Sequence, residues 1–553
     1  MVLHITPYSS ACLHFLDGLS WSLVFPCYWF LDRLLASCVA TSLEKRQRSQ
    51  DPCSFLTLCV LISAPLYLLL LLASLPFALL GFIIWAPLQA IRQPYLYTYC
   101  RLVLTCISFR KRNLGRITFF CFCSANVCLL PDSLARFNNL SDTHRRAREV
   151  GKRIRNGASR PQIKIYIDSP TNTSIRYGQI NPNFLVRLSA EAETGNHRPG
   201  EHGGADTGSM TASRESLARY HGSDGGIGIS SNNTLSHVPR TSIFKRPGRK
   251  RRHGDETFDH EISAFFPANL DFLALQEVFD HGSTTRLRRQ LHRYFPYILS
   301  DVGRYGWKGC CSRFKFLNSG LMLASRYPIL DARYECYPNG RGEDALAAKG
   351  ALFAKVHVGT SHQEQRVVGY VTCTHLHAIE GDASVRCEQL DLLLQWGAEF
   401  RQSSSIPPEG EKVLEDLVAF DVILGDLNFD NCSSEDKLEQ QHALFTQYKD
   451  PCRLGPGEDK PWALGNNTHP DTCPRTSSSR VTSYVLQTCP NPRQVRAGLV
   501  ESCRRINCEL CEPFEIEEFS FVTQLAGLTD HLSVAMRLAV STGEEEDKQG
   551  NSV

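Results

Sequence analysis

Residues 422–431 read "VILGDLNFDN". Three apolar residues run into Gly425, and Asp426, Asn428 and Asn431 follow within six positions. A short apolar run of this kind reads as a buried strand. A turn at its end accounts for the glycine and one polar residue, but not for a carboxylate and an amide two positions apart. On an extended backbone such positions share a face. Asp426 and Asn428 are therefore expected to point the same way from the end of a core strand.

Similar endings recur along the chain. "ITFFCFCSANVCLLPD", from Ile117, reads as a buried strand ending in Asn126; "FLALQ" is followed by Glu277. "VVGYVTCTHLHA" carries His375 and His377 two apart, and "GLTDHLSVAM" sets Asp530 and His531 just before the last strand. Each ending alone is commonplace. Together they supply a hard oxygen ligand suited to Mg²⁺, a base that titrates near neutrality, and amide or imidazole donors. That set serves metal-assisted attack of water on a phosphate ester. Strands such as "SGLMLASRYPI" and "GALFAKVHV", with helices near 283–295 and 383–401, predict a layered α/β sandwich.

Composition narrows the class. At 553 residues the chain can hold two to four average domains, and a charged fraction of 21% suits a soluble core. The net charge of +3 is too small to imply nucleic acid, although residues 144–164 and "KRPGRKRR" (245–252) are locally basic. The 22 cysteines are scattered through a large chain, often beside apolar runs, and most read as reduced thiols facing the cytosol. "MVLHITPYSS" lacks the basic start of a cleavable signal. Cys489, Cys503, Cys508 and Cys511 match no standard zinc spacing.

The amino terminus is different in kind. Residues 54–91 carry no formal charge, nearly twice the length of about 20 residues that a membrane-crossing helix needs. Pro65, Pro76, Gly81 and Pro87 interrupt the run, and interior prolines kink or break helices. Basic residues flank both ends, Lys45, Arg46 and Arg48 before and Arg92, Arg101, Arg110, Lys111 and Arg112 after. Such flanks favour the cytosolic side, which predicts a re-entrant hairpin within 54–91. A second segment, about 11–31, is expected to lie in the interface. The domain plan is then a hydrophobic membrane-associated region at 1–92, a juxtamembrane linker at 93–116, and a catalytic domain from 117–168 and 256–542. Residues 169–255, rich in Gly, Ser, Asn, His and Arg, read as a disordered insertion, and 543–553 as an acidic tail.

"LQE", "NSGL", "GDLNFDN" and "LTDHLSV" resemble the signature motifs of the endonuclease/exonuclease/phosphatase superfamily, the fold of pancreatic deoxyribonuclease. With the "THLHA" strand and the apolar amino terminus, the chain is similar more narrowly to the neutral sphingomyelinases. The resemblance runs from residue 1 to about 168, from about 256 to 463, and from about 515 to 542. It implies a four-layer α/β/β/α sandwich of the DNase I-like type and hydrolysis of sphingomyelin to ceramide and phosphocholine. It further implies a need for Mg²⁺, with Mn²⁺ as a substitute, and a place on the cytosolic side of Golgi and cell membranes. Anionic phospholipids such as phosphatidylserine are the implied activators, and no nucleic acid is expected.

Carried onto this sequence, the resemblance makes Glu277 the Mg²⁺ ligand, with Asn126 beside it, and His531 the general base. Asp426 is to hold the attacking water or the substrate, with Asn428 and His375 donating to phosphoryl oxygens and Asp530 adjoining the base. In "NGRGEDALAAKG" (339–350), Asp344 and Lys349 match a carboxylate and amine that open or block the site. That stretch is not a nucleotide loop, because Gly350 follows Lys349 where Ser or Thr is needed. Cys53 and Cys59 stand at a membrane edge and, with Cys310 and Cys311, are the palmitoylation candidates. Arg33, Lys45, Arg46, Arg48 and Arg92 are the candidates for anionic lipid, at about 1 kcal/mol per basic residue. The chain departs from the family at 464–500, which lacks strand alternation. It departs again at "CRRINCELCEPF", where Asn507 replaces the aspartate expected to orient the base. A nuclease of the same fold and a catalytically silent membrane scaffold are the other two readings.

Overall fold

The computed structural model describes residues 3–50, 55–100, 117–160, 259–303, 314–361, 365–405, 416–463, 483–488 and 514–541. The insertion at 169–255, the tail at 543–553, Cys53, Cys310, Cys311, Asn507 and the side chain of Cys59 lie outside the described residues.

Strand alternation builds the core. In β2 (Ile117–Asn126), Phe120 and Phe122 face one way and Cys121 and Cys123 the other. β10 (Leu417–Asp426) does the same, with Phe420, Val422 and Leu424 opposed to Ile423. Successive side chains of a strand point to opposite faces, so each strand feeds two cores. The larger sheet has the order β1 (Leu96–Tyr99), β5 (Tyr297–Ser300), β6 (Met322–Ser325), β4 (Phe272–Gln276), β2, β16 (Ser533–Ser541), β15 (Phe514–Val522), β3 (Asp259–Ser263). The smaller has the order β11 (Tyr448–Lys449), β14 (Ser483–Thr488), β10, β9 (Arg366–His375), β8 (Gly350–Thr360), β7 (Ile329–Cys336). β12 (Arg453–Gly455) and β13 (Glu458–Asp459) form a separate hairpin.

Between the sheets, the Phe420 ring meets Phe120, Phe122 and Phe272 at centroid distances of 4.9, 5.0 and 5.5 Å. Gly369 lies opposite, and a Cβ there would stand 2.2 Å from the Phe420 ring. Phe420→Ala removes the centre of this cluster and is expected to cost about 3–5 kcal/mol, read as a lower denaturation midpoint.

Helices cover the outer faces. Thr143–Ala158 carries Ala147, Val150, Ile154 and Ala158 at the three- and four-residue spacing of an apolar stripe, packed with His281–Leu291 on the larger sheet. Ala383–Ser405 sets Leu390, Leu393 and Phe400 against the smaller one. The result is the expected α/β/β/α sandwich.

Four details differ from the sequence reading. Residues Phe55–Ile91 form one helix, α3, with Pro65, Pro76 and Pro87 inside it, not a hairpin. A neighbouring helix can compensate for interior prolines in an apolar segment. That neighbour is α1, which runs Ala11–Cys38, past the predicted end near 31, with Ser10 capping its start. The hairpin is α1 against α3: Trp21 meets Trp85, Trp29 meets Tyr67, and a Cβ on Gly81 would strike Ser20 O at 2.7 Å. α2 (Ser42–Gln50) lies between them in the chain and carries Lys45, Arg46 and Arg48. The supposed linker contains β1, paired with β5, because Leu96–Tyr99 completes the larger sheet edge. Within 464–500, β14 pairs with β10 and β11, since β10 offers it an open edge.

Both ends of α1 are tied to the sandwich. Ahead of it, Tyr97 N–H donates to His4 O at 2.7 Å and Gln93 N–H to Pro7 O at 2.9 Å. At its far end, Arg33 pairs with Asp132 at 2.9 Å, Ser133 N–H donates to Asp32 at 2.9 Å, and Arg136 donates to Val39 O at 3.0 Å. A 28-residue helix is about 42 Å long, so α1 lies along the domain. At the end of α3, Arg92 is buried and donates to Asp301 O and Gly303 O at 3.3 and 3.1 Å.

Candidate active site

Strand direction brings the polar endings together. β2 is parallel to β4, with Asn126 opposite Gln276, and β9 is parallel to β10, with His375 opposite Asp426. β16 runs antiparallel to β2, so Asp530 and His531, which precede it, return to the same end. Thr529 secures that return by donating to Asn126 O at 2.9 Å.

Glu277 takes the first position past β4 in a left-handed conformation, φ 59°. Such backbone costs free energy for a residue with a Cβ and persists only where its surroundings hold it. Here Leu129 N–H donates to Glu277 O, and Val278 N–H to Gly320 O, both at 2.8 Å. Gly320 also has a positive φ, 70°, and a Cβ there would meet the Phe279 ring at 2.9 Å and Glu277 Cα at 3.1 Å. This gives the "NSGL" motif its physical sense.

Asn126 clamps two carboxylates. Its Nδ2 donates to Glu277 Oε1 at 2.8 Å and to the fully buried Asp426 Oδ2 at 2.9 Å, while its Oδ1 accepts from Cys128 N–H. Glu277 Oε2 is shielded from solvent and meets no hydrogen-bond partner. Burial, opposed by the His531 charge and the Asn126 bond, leaves the Glu277 carboxyl titrating above its ordinary range. A buried carboxylate oxygen without a donor, beside a second carboxylate, is a hard ligand set that fits a divalent cation.

His531 stands across from this pair. Its Nδ1 donates to Asp530 Oδ1 at 2.9 Å, since a carboxylate can only accept, and its Nε2 lies 3.5 Å from Asp426 Oδ2. Burial pulls the imidazole pKa down, but the Asp530 hydrogen bond and the Asp426, Asp530 and Glu277 charges outweigh it and raise it to about 9. Asp530 thus occupies the orienting position that sequence reading assigned to the segment around Asn507.

His375, Lys349, Asp344 and Asn428 form the other wall. His375 is buried with Nδ1 unpartnered, and burial and the neighbouring Lys349 push its pKa down to about 3, so it is a neutral imidazole. Lys349 Nζ donates to Asp344 Oδ2 and to Leu376 O, both at 3.0 Å. Asp344 is held well below the usual carboxylate range: burial opposes this, but His377, Lys349 and the Ala378 N–H prevail.

Two same-face expectations fail. β10 ends at Asp426, and Asn428 sits in a left-handed turn, φ 54°, a conformation asparagine tolerates. Its N–H donates to Asp426 Oδ1 at 3.1 Å and its Nδ2 to Leu376 O at 2.9 Å, so the turn, not the pleat, aims it. His377 turns away from the centre to Asp344, 3.1 Å away, and Asp382, 2.8 Å away; it steadies the Asp344 loop. Sequence reading missed Asp382, which carries no motif, and gave no role to Thr529, which lies within "LTDHLSV"; both matter through these contacts.

A family model described as Neutral sphingomyelinase N-terminal transmembrane region matches residues 12–91, and the Endonuclease/Exonuclease/phosphatase family model matches residues 233–485. Sphingomyelin phosphodiesterase 3 of Mus musculus is 47% identical, with 99% of this chain and 100% of the relative covered. Sphingomyelin phosphodiesterase 5 of Danio rerio is 40% identical over the same shares. Among solved structures, a Staphylococcus aureus beta toxin mutant with bound magnesium ions is 19% identical. That likeness covers 49% of this chain and 86% of the toxin, with a TM-score of 0.31. By its likeness over nearly the whole chain, this protein belongs to the sphingomyelin phosphodiesterase 3 family of membrane-associated neutral sphingomyelinases.

Proposed function

We propose that the chain hydrolyses sphingomyelin to ceramide and phosphocholine at the cytosolic surface of Golgi and cell membranes. The carrying observation is the Glu277–Asn126–Asp426–His531 chain of contacts, with Nε2 of His531 turned toward the carboxylates. His531 takes a proton from the attacking water at Nε2 while Asp530 holds Nδ1–H. The water oxygen bonds to phosphorus, the bond from phosphorus to the ceramide oxygen breaks, and that oxygen takes a proton from solvent while His531 gives its own back to solvent. Asp426 positions the water; neutral His375 and the second amide hydrogen of Asn428 donate to the phosphoryl oxygens. Glu277 would hold Mg²⁺, or Mn²⁺ in its place, with Asn126 fixing the carboxylate. When bound, the ion neutralises charge on the phosphoryl group. Phosphocholine release from sphingomyelin vesicles by the purified chain tests this; no dependence on Mg²⁺ defeats it.

Without a cation, His531 is protonated at neutral pH and pairs with Asp530 and Asp426. Its raised pKa contributes stability that is complete below the unfolded value near 6.5 and is lost as pH rises through about 9. The metal-free protein is therefore expected to melt at lower temperature at pH 9.5 than at pH 6. In an NMR titration the His531 pKa is expected to fall when Mg²⁺ is added, because the carboxylates are then neutralised.

Attachment to the bilayer follows from α1 and α3. A helix held at both ends by one water-soluble domain lies along the membrane surface. Lys45, Arg46 and Arg48 on α2 are assigned to anionic lipid such as phosphatidylserine. Arg33 and Arg92 are engaged by Asp132 and by buried carbonyls and serve docking of the helices. Acylation is assigned to Cys53, Cys59, Cys310 and Cys311, and gating of the site to the Asp344–Lys349 pair.

A further inference from the structure

The apolar surface of α3 does not stop at the helix. Ile83, Phe77 and Leu69 are exposed along it, as befits a segment that meets lipid. The Phe82 ring on the same helix lies 5.6 Å from that of Phe314, on the catalytic domain, and Phe314 lies 4.7 Å from Phe316. Phe316 is 60% exposed and Leu346 41%, although Ala345 and Ala347 on either side of Leu346 are buried at 1% and 5%. The two outward side chains sit on segments of backbone clipped together. Phe316 N–H and Leu317 N–H both donate to Leu346 O, at 2.8 and 3.1 Å, and Lys315 Nζ donates to Ala345 O at 2.8 Å.

This clip holds two large apolar groups in water. An isolated exposed leucine needs no explanation, but apolar surface continuous with an interaction site extends that site. The turn that presents Leu346, Gly342–Leu346, also contains Asp344, whose carboxylate is bonded to Lys349 beside the catalytic residues. The exposed pair therefore stands at the rim of the site, on the side where α3 docks.

We propose that Phe316 and Leu346 form a second bilayer contact, a wedge that enters among lipid acyl chains beside α3 and seats the mouth of the active site on the membrane surface. This rests on the membrane hydrolase reading above. A seated mouth receives the phosphodiester at headgroup depth, so the lipid substrate need not be drawn out into water.

The test uses the full chain and the double variant Phe316→Ser, Leu346→Ser. On vesicles of sphingomyelin and phosphatidylcholine the variant is expected to be about tenfold slower than the parent, from the loss of two apolar insertions. On a short-chain sphingomyelin kept below its micelle concentration, the two are expected to agree within about twofold. Equal vesicle rates overturn the wedge, and so does an equal loss on the monomeric substrate. If the parent hydrolyses neither substrate, the hydrolase reading has failed separately. Photo-cross-linking from diazirine-bearing acyl chains, read by peptide mass spectrometry, then decides the wedge. Adducts within 314–317 and 345–347 support it, and labelling confined to α1 and α3 overturns it.

Discussion

His531→Ala is expected to slow phosphocholine release from sphingomyelin vesicles by about 10³-fold, within the usual worth of a general base, while vesicle binding is unchanged. The imidazole is the group placed to accept a proton at Nε2, with Nδ1 committed to Asp530 and Nε2 turned toward Asp426. Asp530→Asn leaves the ring in place but removes the anion that steadies the imidazolium, and is expected to cost about 10²-fold, the low end of what acid–base catalysis contributes. Measuring initial rates at saturating Mg²⁺ separates the two. A His531→Ala rate close to that of the parent would remove the residue from the chemistry.

Glu277→Gln is the second large effect, and it acts on stability and activity in opposite directions. The parent carboxylate is pushed up by burial, and its Oε2 lacks a donor. Above the unfolded pKa near 4.3, a carboxyl whose folded value is raised costs the metal-free fold free energy. Glutamine removes the charge, so the metal-free variant is expected to melt at higher temperature than the parent at pH 7. Activity at fixed Mg²⁺ is expected to fall about 10³-fold, several kcal/mol of lost charge stabilisation. The rise in melting temperature that added Mg²⁺ gives the parent is expected to vanish in the variant. If Mg²⁺ stabilises Glu277→Gln as much as the parent, the ion is held elsewhere.

Much of this site was legible because strand endings are local. Apolar alternation marks β2, β4, β9 and β10, and the polar residue at each end is read off by position. Asn126, Glu277, His375 and Asp426 were found in that way, and His531 as the imidazole just before the last strand. The partners were not legible, because they depend on turns. Asn428 shares no pleat face with Asp426; a left-handed turn sends its amide to Leu376 O. His377 was a candidate for the chemistry from spacing alone, yet Asp344 and Asp382 draw it away. Asp530 stood next to the base in sequence, but a neighbour in the chain need not bond to the ring, and only the fold places Oδ1 at Nδ1.

The membrane region divides in the same manner. Its length, its lack of charge and its basic flanks are properties of composition, and they specify a lipid-facing segment wherever the chain folds. Prolines at 65, 76 and 87 argued for breaks, because a lone helix cannot replace the missing donors. α1 packs along α3 and tips that local preference the other way. By itself, then, the sequence determined which residues are buried in strands, which polar side chains end them and that one end is lipid-loving. The tertiary structure decided which strand ends meet, which nitrogen of His531 faces the site and that α1 lies along the domain. Those outcomes depend on pairing direction and on contacts between residues as much as a hundred or more positions apart, which no local pattern encodes.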